Sequence, residues 1–492
     1  MNPADELRQL GAQRHTRRHF LQGGMAGLGA LWLGAQRAAG AAGGGPIAID
    51  PSRPWAPREP HFAAKAKRVI FLHMAGAPSQ FELFDYKPEL VRRDGQTCPA
   101  ELIAGERFAF LRGEPQLLGS PFEFERAGQS GQWVSSLLPE FKKSVDRVAF
   151  VRTMATDQFN HAPAQLLVHT GSARAGGASI GSWVTYGLGS ENQNLPGYVV
   201  LLSGGKTPSV GHAGWGSGFL PSVYQGVQCR GAGDPVLFLS NPEGYSQRLR
   251  RRTVDAINRI NEQTHAEWGD PETVTRIAQY EMACRMQLEA SDAMDLAHES
   301  ADTLAAYGVE AGGESFAKNC LLARRLCERG VRYVQLFDWG WDTHGTREDS
   351  SIDKGLALKA SQIDRPVHAL LTDLEQRGLL EETLVVWGGE FGRTPMRENR
   401  GGVEMTYKGR DHHAKAFTIW LAGGGVKQGF SYGETDPIGF GPVTESVNVR
   451  DLHATLLRLL GFDHERLVYP LRGLDQKLTG VEPARVVEEL IA

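Results

Sequence analysis

Thr383-Leu384-Val385-Val386-Trp387-Gly388-Gly389-Glu390-Phe391-Gly392-Arg393-Thr394 is an apolar run that stops at a glycine-rich, charged segment. A short continuous apolar run bounded by turn residues predicts a buried strand, here 383–387. The same pattern recurs at Val69-Ile70-Phe71-Leu72, which ends in His73 and Gly76, and at 148–151, 198–202, 331–337 and 416–421. Helical patterns separate these runs, at 137–143, at 366–377 before Gly378, and at 451–460. Strands alternating with helices predict an α/β fold, a mostly parallel central sheet sandwiched by helices. Residues 243–309 hold long charged helical segments, 248–261 and 273–297, which read as a helical insertion.

Composition narrows the function classes. The chain has 492 residues, 41% hydrophobic and 22% charged, with a formal net charge of -4. No basic stripe points to a nucleic-acid partner. Five cysteines with no C-x-x-C pair argue against a disulfide framework and a zinc-thiolate site. Cys320 and Cys327 share a helical face roughly 10 Å apart along the axis and read as core.

In open α/β sheets, ligands bind at the carboxyl ends of the strands. Here those ends are polar: His73 to Asp85, Thr156 to His161, Asp338 to His344, and Gly388 to Arg393. Asp342 and His344, two apart in an extended segment, can face one centre. Glu390 and His412 come from neighbouring strand ends, with Asp411 as a partner that orients a ligating histidine. Imidazoles with carboxylates suit a divalent metal: zinc first, manganese or iron where more oxygens join. Arg393, three after Glu390, suits an anionic group as well as it suits a loop-holding salt bridge.

These residues carry a resemblance. Gly340-Trp341-Asp342-Thr343-His344, Gly388-Gly389-Glu390-Phe391-Gly392-Arg393-Thr394-Pro395 and Gly409-Arg410-Asp411-His412 resemble the domain-of-unknown-function 1501 family, as do Tyr186 to Pro196 and Asp451-Leu452-His453-Ala454-Thr455. That family is abundant in planctomycetes, commonly carries an export signal, and is similar to the alkaline phosphatase and sulfatase superfamily. The resemblance implies that fold over 65–492, a metal site and an anionic ester substrate, sulfated polysaccharide among the candidates, with calcium a further metal. Carried over residue by residue, it makes Asp342, His344 and Glu390 ligands. His412 completes the set with His413 as its alternative, and His73 stands at the first strand end. Phe391 cannot replace the histidine expected after Glu390.

The nucleophile departs from the pattern. His161-Ala162-Pro163-Ala164-Gln165 runs in the frame of a sulfatase C/S-x-P-x-R motif, with His for Cys and Gln for Arg. Formylglycine chemistry is therefore not expected. His161 becomes a nucleophile or general base, or else a further ligand, with water activated at the metal. The rival is a non-catalytic binding protein that keeps the fold and a structural metal. A peptidase is set aside for want of H-E-x-x-H.

The amino terminus reads as an address. Thr16-Arg17-Arg18-His19-Phe20-Leu21-Gln22 precedes the apolar run 23–34, and Ala39-Gly40-Ala41 offers a small-x-small cleavage site. This predicts a twin-arginine signal over 1–41 and a linker over 42–64. The expected partner is the twin-arginine translocase and the destination periplasmic or secreted. No later segment reads as a stable membrane span.

Overall fold

The computed structural model describes residues 47, 49–50, 52–230, 236, 241, 244–310 and 313–492, and the expected export segment lies outside them. The apolar runs form the sheet. Its strands are β1 Arg68–Ala75, β2 Val148–Ala155, β3 Tyr198–Ser203, β4 Val227–Cys229, β5 Tyr333–Trp339 and β6 Thr383–Gly388. Beyond a two-residue ladder of β7 Gly392–Arg393 and β8 His412–His413 come β9 Phe417–Ala422, β10 Phe430–Tyr432 and β11 Val447–Asn448. The sheet order is β10-β2-β9-β6-β1-β5-β3-β4, with β11 also on β2. β1 is buried over all but its first residue and β6 over its whole length. That explains why these strands read as continuous apolar runs rather than alternating ones.

Register sets the site. His73 of β1 pairs with Phe337 of β5 on one side and Gly388 of β6 on the other. The carboxyl ends of three parallel strands therefore stop level, and their loops emerge side by side. One strand runs the other way: β9 is antiparallel to both β2 and β6. Its amino end lies at the edge where the parallel strands finish, so the segment feeding it, His412–His413, enters the same edge.

Helices α1 His161–Thr170, α2 Ile180–Leu188, α5 Phe316–Glu328, α6 Ala357–Gln376 and α7 Val449–Leu459 cover the sheet, and α3 Gln247–Trp268 pairs with α4 Pro271–Met294 as the helical segment. Two expected helices differ. Around 137–143 the structure has a 3-10 turn, Phe141–Arg147. The helix expected to start at Pro366 begins at Ala357 and carries Pro366 inside it. Proline lacks an N–H and disfavours a helix interior. The buried apolar face of α6, from Ala360 to Leu374, outweighs that local cost.

Part of the expected linker belongs to the packed fold. Trp55 is 7% exposed, and its indole N–H donates to Val223 O at 3.1 Å. Arg58 donates to the carbonyls of Pro54, Ala56 and Tyr186. Cys320 and Cys327 are free and buried in α5. Among the described residues, no helix is long and apolar enough to cross a membrane.

Candidate metal centre

Four side chains meet at the carboxyl edge of the sheet: His161, Asp342, His344 and His412. His161 opens α1, Asp342 and His344 follow β5, and His412 precedes β9. The imidazole Nε2 atoms of His344, His161 and His412 lie 2.9, 3.2 and 3.5 Å from one oxygen, Asp342 Oδ1.

The far side of each ring explains why. His161 Nδ1 is 2.7 Å from Glu390 Oε1, His412 Nδ1 is 2.6 Å from Phe159 O, and His344 Nδ1 contacts Glu398 Oε2. An acceptor on Nδ1 holds the proton there and leaves the Nε2 lone pair free, as in metal-ligating histidines. His344 Nε2 and His412 Nε2 are only 3.1 Å apart. Two lone pairs at that distance repel unless a proton or a cation lies between them. Three imidazole nitrogens and one carboxylate oxygen fit a divalent cation, zinc above all.

Buried polar side chains brace the group. Glu390 Oε1 also accepts from Gly76 N at 3.0 Å and Gln165 Nε2 at 2.8 Å. Arg393 reaches Asp342 Oδ1 at 2.6 Å. Its other donors go to Ala77 O at 2.9 Å, Arg410 O at 3.1 Å and Gly76 O. Ala77 holds a left-handed φ of 62°, a strained conformation for a non-glycine residue, and its carbonyl faces that guanidinium. Gly76 has no substitute: a Cβ there would lie 2.6 Å from Asp342 N. Arg410 pairs with Glu82 at 2.5 Å, both fully buried.

The fields are strong. Burial opposes ionisation of Asp342, but Arg393 and the three histidines hold its carboxyl far below the usual range. Glu390 likewise stays ionised against burial, held by His161 and His73. Burial pulls the His161 ring down, yet Asp342 and Glu390 outweigh it and raise its pKa to about 9. His344 moves up against burial for the same reason, through Asp342 and Glu398. His412 goes the other way, to about 4, because burial and the charges of Arg393, His161 and His344 outweigh Asp342. Asp342 is the most open member, its side chain 31% exposed against 16% for His161, 8% for His344 and 4% for His412. Access to the centre is therefore from the Asp342 side.

The structure sorts the residues singled out in the sequence. Asp342, His344, His412 and His161 come together. Glu390 stands behind His161 rather than among the converging atoms. His73 is further back, its Nε2 3.3 Å from Glu390 Oε2, its ring packed on Phe337 and His169. His413 faces away, its Nε2 2.5 Å from Phe440 O. The β7–β8 ladder decides this, since successive residues of a strand point to opposite faces. Arg393 is fully buried and its donors are taken by the protein, so the salt-bridge reading describes its place and an anion-binding one does not. Asp411 orients no histidine ring; its oxygens accept from the backbone N–H of Phe110, Leu111 and His412 at 2.7, 2.8 and 2.7 Å.

Sequence reasoning missed Glu398 and Gln165. Glu398 lies in Met396-Arg397-Glu398-Asn399-Arg400, which reads as an ordinary charged loop; only its complete burial marks it. One G-x-S-x-G spacing also occurs, Gly177-Ala178-Ser179-Ile180-Gly181. Ser179 caps α2 and is buried, and its hydroxyl pairs with Ser182 Oγ at 2.8 Å, so it is not a serine-hydrolase nucleophile.

Comparison with known proteins agrees with the resemblance read above. The family described as "Protein of unknown function (DUF1501)" matches residues 66–491, and the chain belongs to that family. No curated protein matches it. Similar solved structures include the PsFucS1 sulfatase from Pseudoalteromonas sp., at 13% identity over 83% of this chain and 69% of that one, with a TM-score of 0.36. A TAB5 alkaline phosphatase mutant follows, at 12% identity over 75% and 94% with a TM-score of 0.31. The lipoteichoic acid synthase LtaP from Listeria monocytogenes is similar at 10% identity over 87% and 79%, with a TM-score of 0.32. The likeness is one of chain path and says nothing of substrate.

Proposed function

We propose that this member of the DUF1501 family is an exported, divalent-metal-dependent hydrolase of sulfate or phosphate esters. One observation carries the reading: three imidazole Nε2 atoms, each freed by an acceptor on its own Nδ1, converge on Asp342 Oδ1. Asp342, His344 and His412 would hold the cation, with His161 as the fourth donor. A bound divalent cation supplies Lewis-acid polarisation of an ester oxygen and activation of water near neutral pH.

The chain's own residues do the rest. Arg393 fixes the Asp342 carboxylate and keeps it ionised. Glu390 and Glu398 fix the tautomers of His161 and His344. His161 stands at the amino end of α1 and is the second most open of the four, which suits ligation, and equally suits moving a proton at Nε2 near the leaving group. The twin arginines, Arg17 and Arg18, support export in a folded, metal-loaded state.

Metal analysis of the purified protein, with hydrolysis of aryl sulfates and aryl phosphates before and after chelation, tests the reading. One bound metal per chain and chelator-sensitive turnover are expected. Metal without turnover of either ester class would leave the binding-protein rival standing. His344→Ala retaining full metal would sink the site. Export of Arg17→Lys/Arg18→Lys at the normal level would sink the address.

A further inference from the structure

A cleft of about 470 Å³ flanks the metal centre, between the segment 103–115 and Phe159. Its placement is built in. Phe159 is the residue whose carbonyl accepts from His412 Nδ1. The opposite wall is stapled to the same histidine, because Asp411 binds Phe110 N and Leu111 N with one oxygen and His412 N with the other. Asn399 clamps the wall again, accepting from Arg112 N at 2.9 Å and donating to Arg112 O at 3.0 Å. Phe110 then lays its ring edge against His344 and His412, at 4.9 and 5.9 Å between centroids. A loop held to the centre by two buried polar side chains is a preorganised wall, not a loose rim.

What the cleft offers is charge and aromatic surface. Arg107, Phe108, Arg112 and Phe159 all line it. Among the described residues, neither Arg107 nor Arg112 forms an ion pair; Arg112 donates instead to the uncharged carbonyl Leu111 O at 2.7 Å. Glu106, also in the lining, is neutralised by Lys415. The cleft thus carries two positive charges without counter-charges between two aromatic side chains. A planar ring bearing an anionic group fits that chemistry.

We propose that this cleft is the leaving-group subsite, and that the substrate carries a second anionic group, on a ring, away from the ester that is cleaved. The proposal rests on the ester-hydrolase reading above and adds the class of leaving group. Arg107 is the residue that reads the second charge.

The probe is 4-hydroxybenzenesulfonate, the leaving group of a 4-sulfophenyl ester, titrated calorimetrically into the metal-loaded full chain. Wild-type protein is expected to bind it, Arg107→Glu to bind it about tenfold or more weakly, and Arg107→Lys to keep most of the affinity. Arg107 is exposed and has no side-chain partner among the described residues, so these variants should fold as the wild type does. The wild type should also show a lower KM for 4-sulfophenyl phosphate or sulfate than for the phenyl ester, and Arg107→Glu should erase that ratio. No binding by the wild type, or equal binding by Arg107→Glu, would overturn the subsite. Arg107-dependent binding without turnover of any ester would leave the subsite standing and overturn the hydrolase reading instead.

Discussion

The metal centre and the α3–α4 hairpin are built on opposite terms. Around the centre, each charged group is enclosed and answered: Glu390 accepts three hydrogen bonds through one oxygen, and Arg393 spends its guanidinium on three carbonyls and Asp342. On α3, only Val254 and Asn258 are buried over 22 residues, while Leu249, Ile260 and Trp268 are exposed. The hairpin is tied across its exposed side by pairs such as Arg251–Glu281 at 2.9 Å. Exposed ion pairs contribute little, about 0–1 kcal/mol each. Leaving a buried donor or acceptor unpaired costs about 1–3 kcal/mol, more when it is charged. The same residue types therefore fix geometry in one region and merely decorate the other.

That contrast can be broken most sharply at Asp342, the atom on which the centre converges. Asp342→Ala should reduce metal affinity by more than about a hundredfold, beyond the 10–100-fold typical of partners behind the ligands, measured by competition with a chelator. Glu398→Gln keeps the shape behind His344 but weakens its hold on the Nδ1 proton. Metal affinity should fall about 10–100-fold with the fold intact; an unchanged affinity would remove Glu398 from the centre. Gly76→Ala places a methyl 2.6 Å from Asp342 N at a φ of +111°. It should lower unfolding free energy by about 1–3 kcal/mol in denaturant titration and weaken metal binding as well.

Acid tests the enclosed interior more gently. Burial holds the pKa of His453 at about 4, against 6.5 when free, despite its bond to Val168 O. The unfolded chain then takes up a proton that the folded one refuses. Stability contributed by this residue is full above pH 6.5 and declines as pH falls toward about 4. Melting temperature should drop over that window, and His453→Gln should flatten the slope. At the other extreme, Ile260→Lys on the exposed side of α3 should change stability by no more than about 0.5 kcal/mol. A large loss there would mean the hairpin face is covered.

Strands were legible because β1, β5 and β6 are buried along their length, and burial on both faces writes itself as an unbroken apolar run. The short spacing of Asp342 and His344 was legible for the same local reason. Pro366 shows where local reading stops: its missing N–H predicts a helix start, and tertiary packing carries the helix through it. Nothing in the pair His412-His413 says which one faces the centre; the two-residue ladder with Gly392–Arg393 decides it.

By itself, then, the sequence determined the α/β class, the family, and the strand ends where chemistry gathers, because those follow from periodicity and motif along the chain. Only the tertiary structure decided that His161 joins the cluster, that Glu390 and His73 stand behind it, and that Arg393 is spent on Asp342. Those roles depend on which atoms are within about 3 Å across loops far apart in sequence, and hydrogen bonds discriminate on that scale. The level ends of β1, β5 and β6 and the reversed β9 set that scale, and no local stretch encodes it.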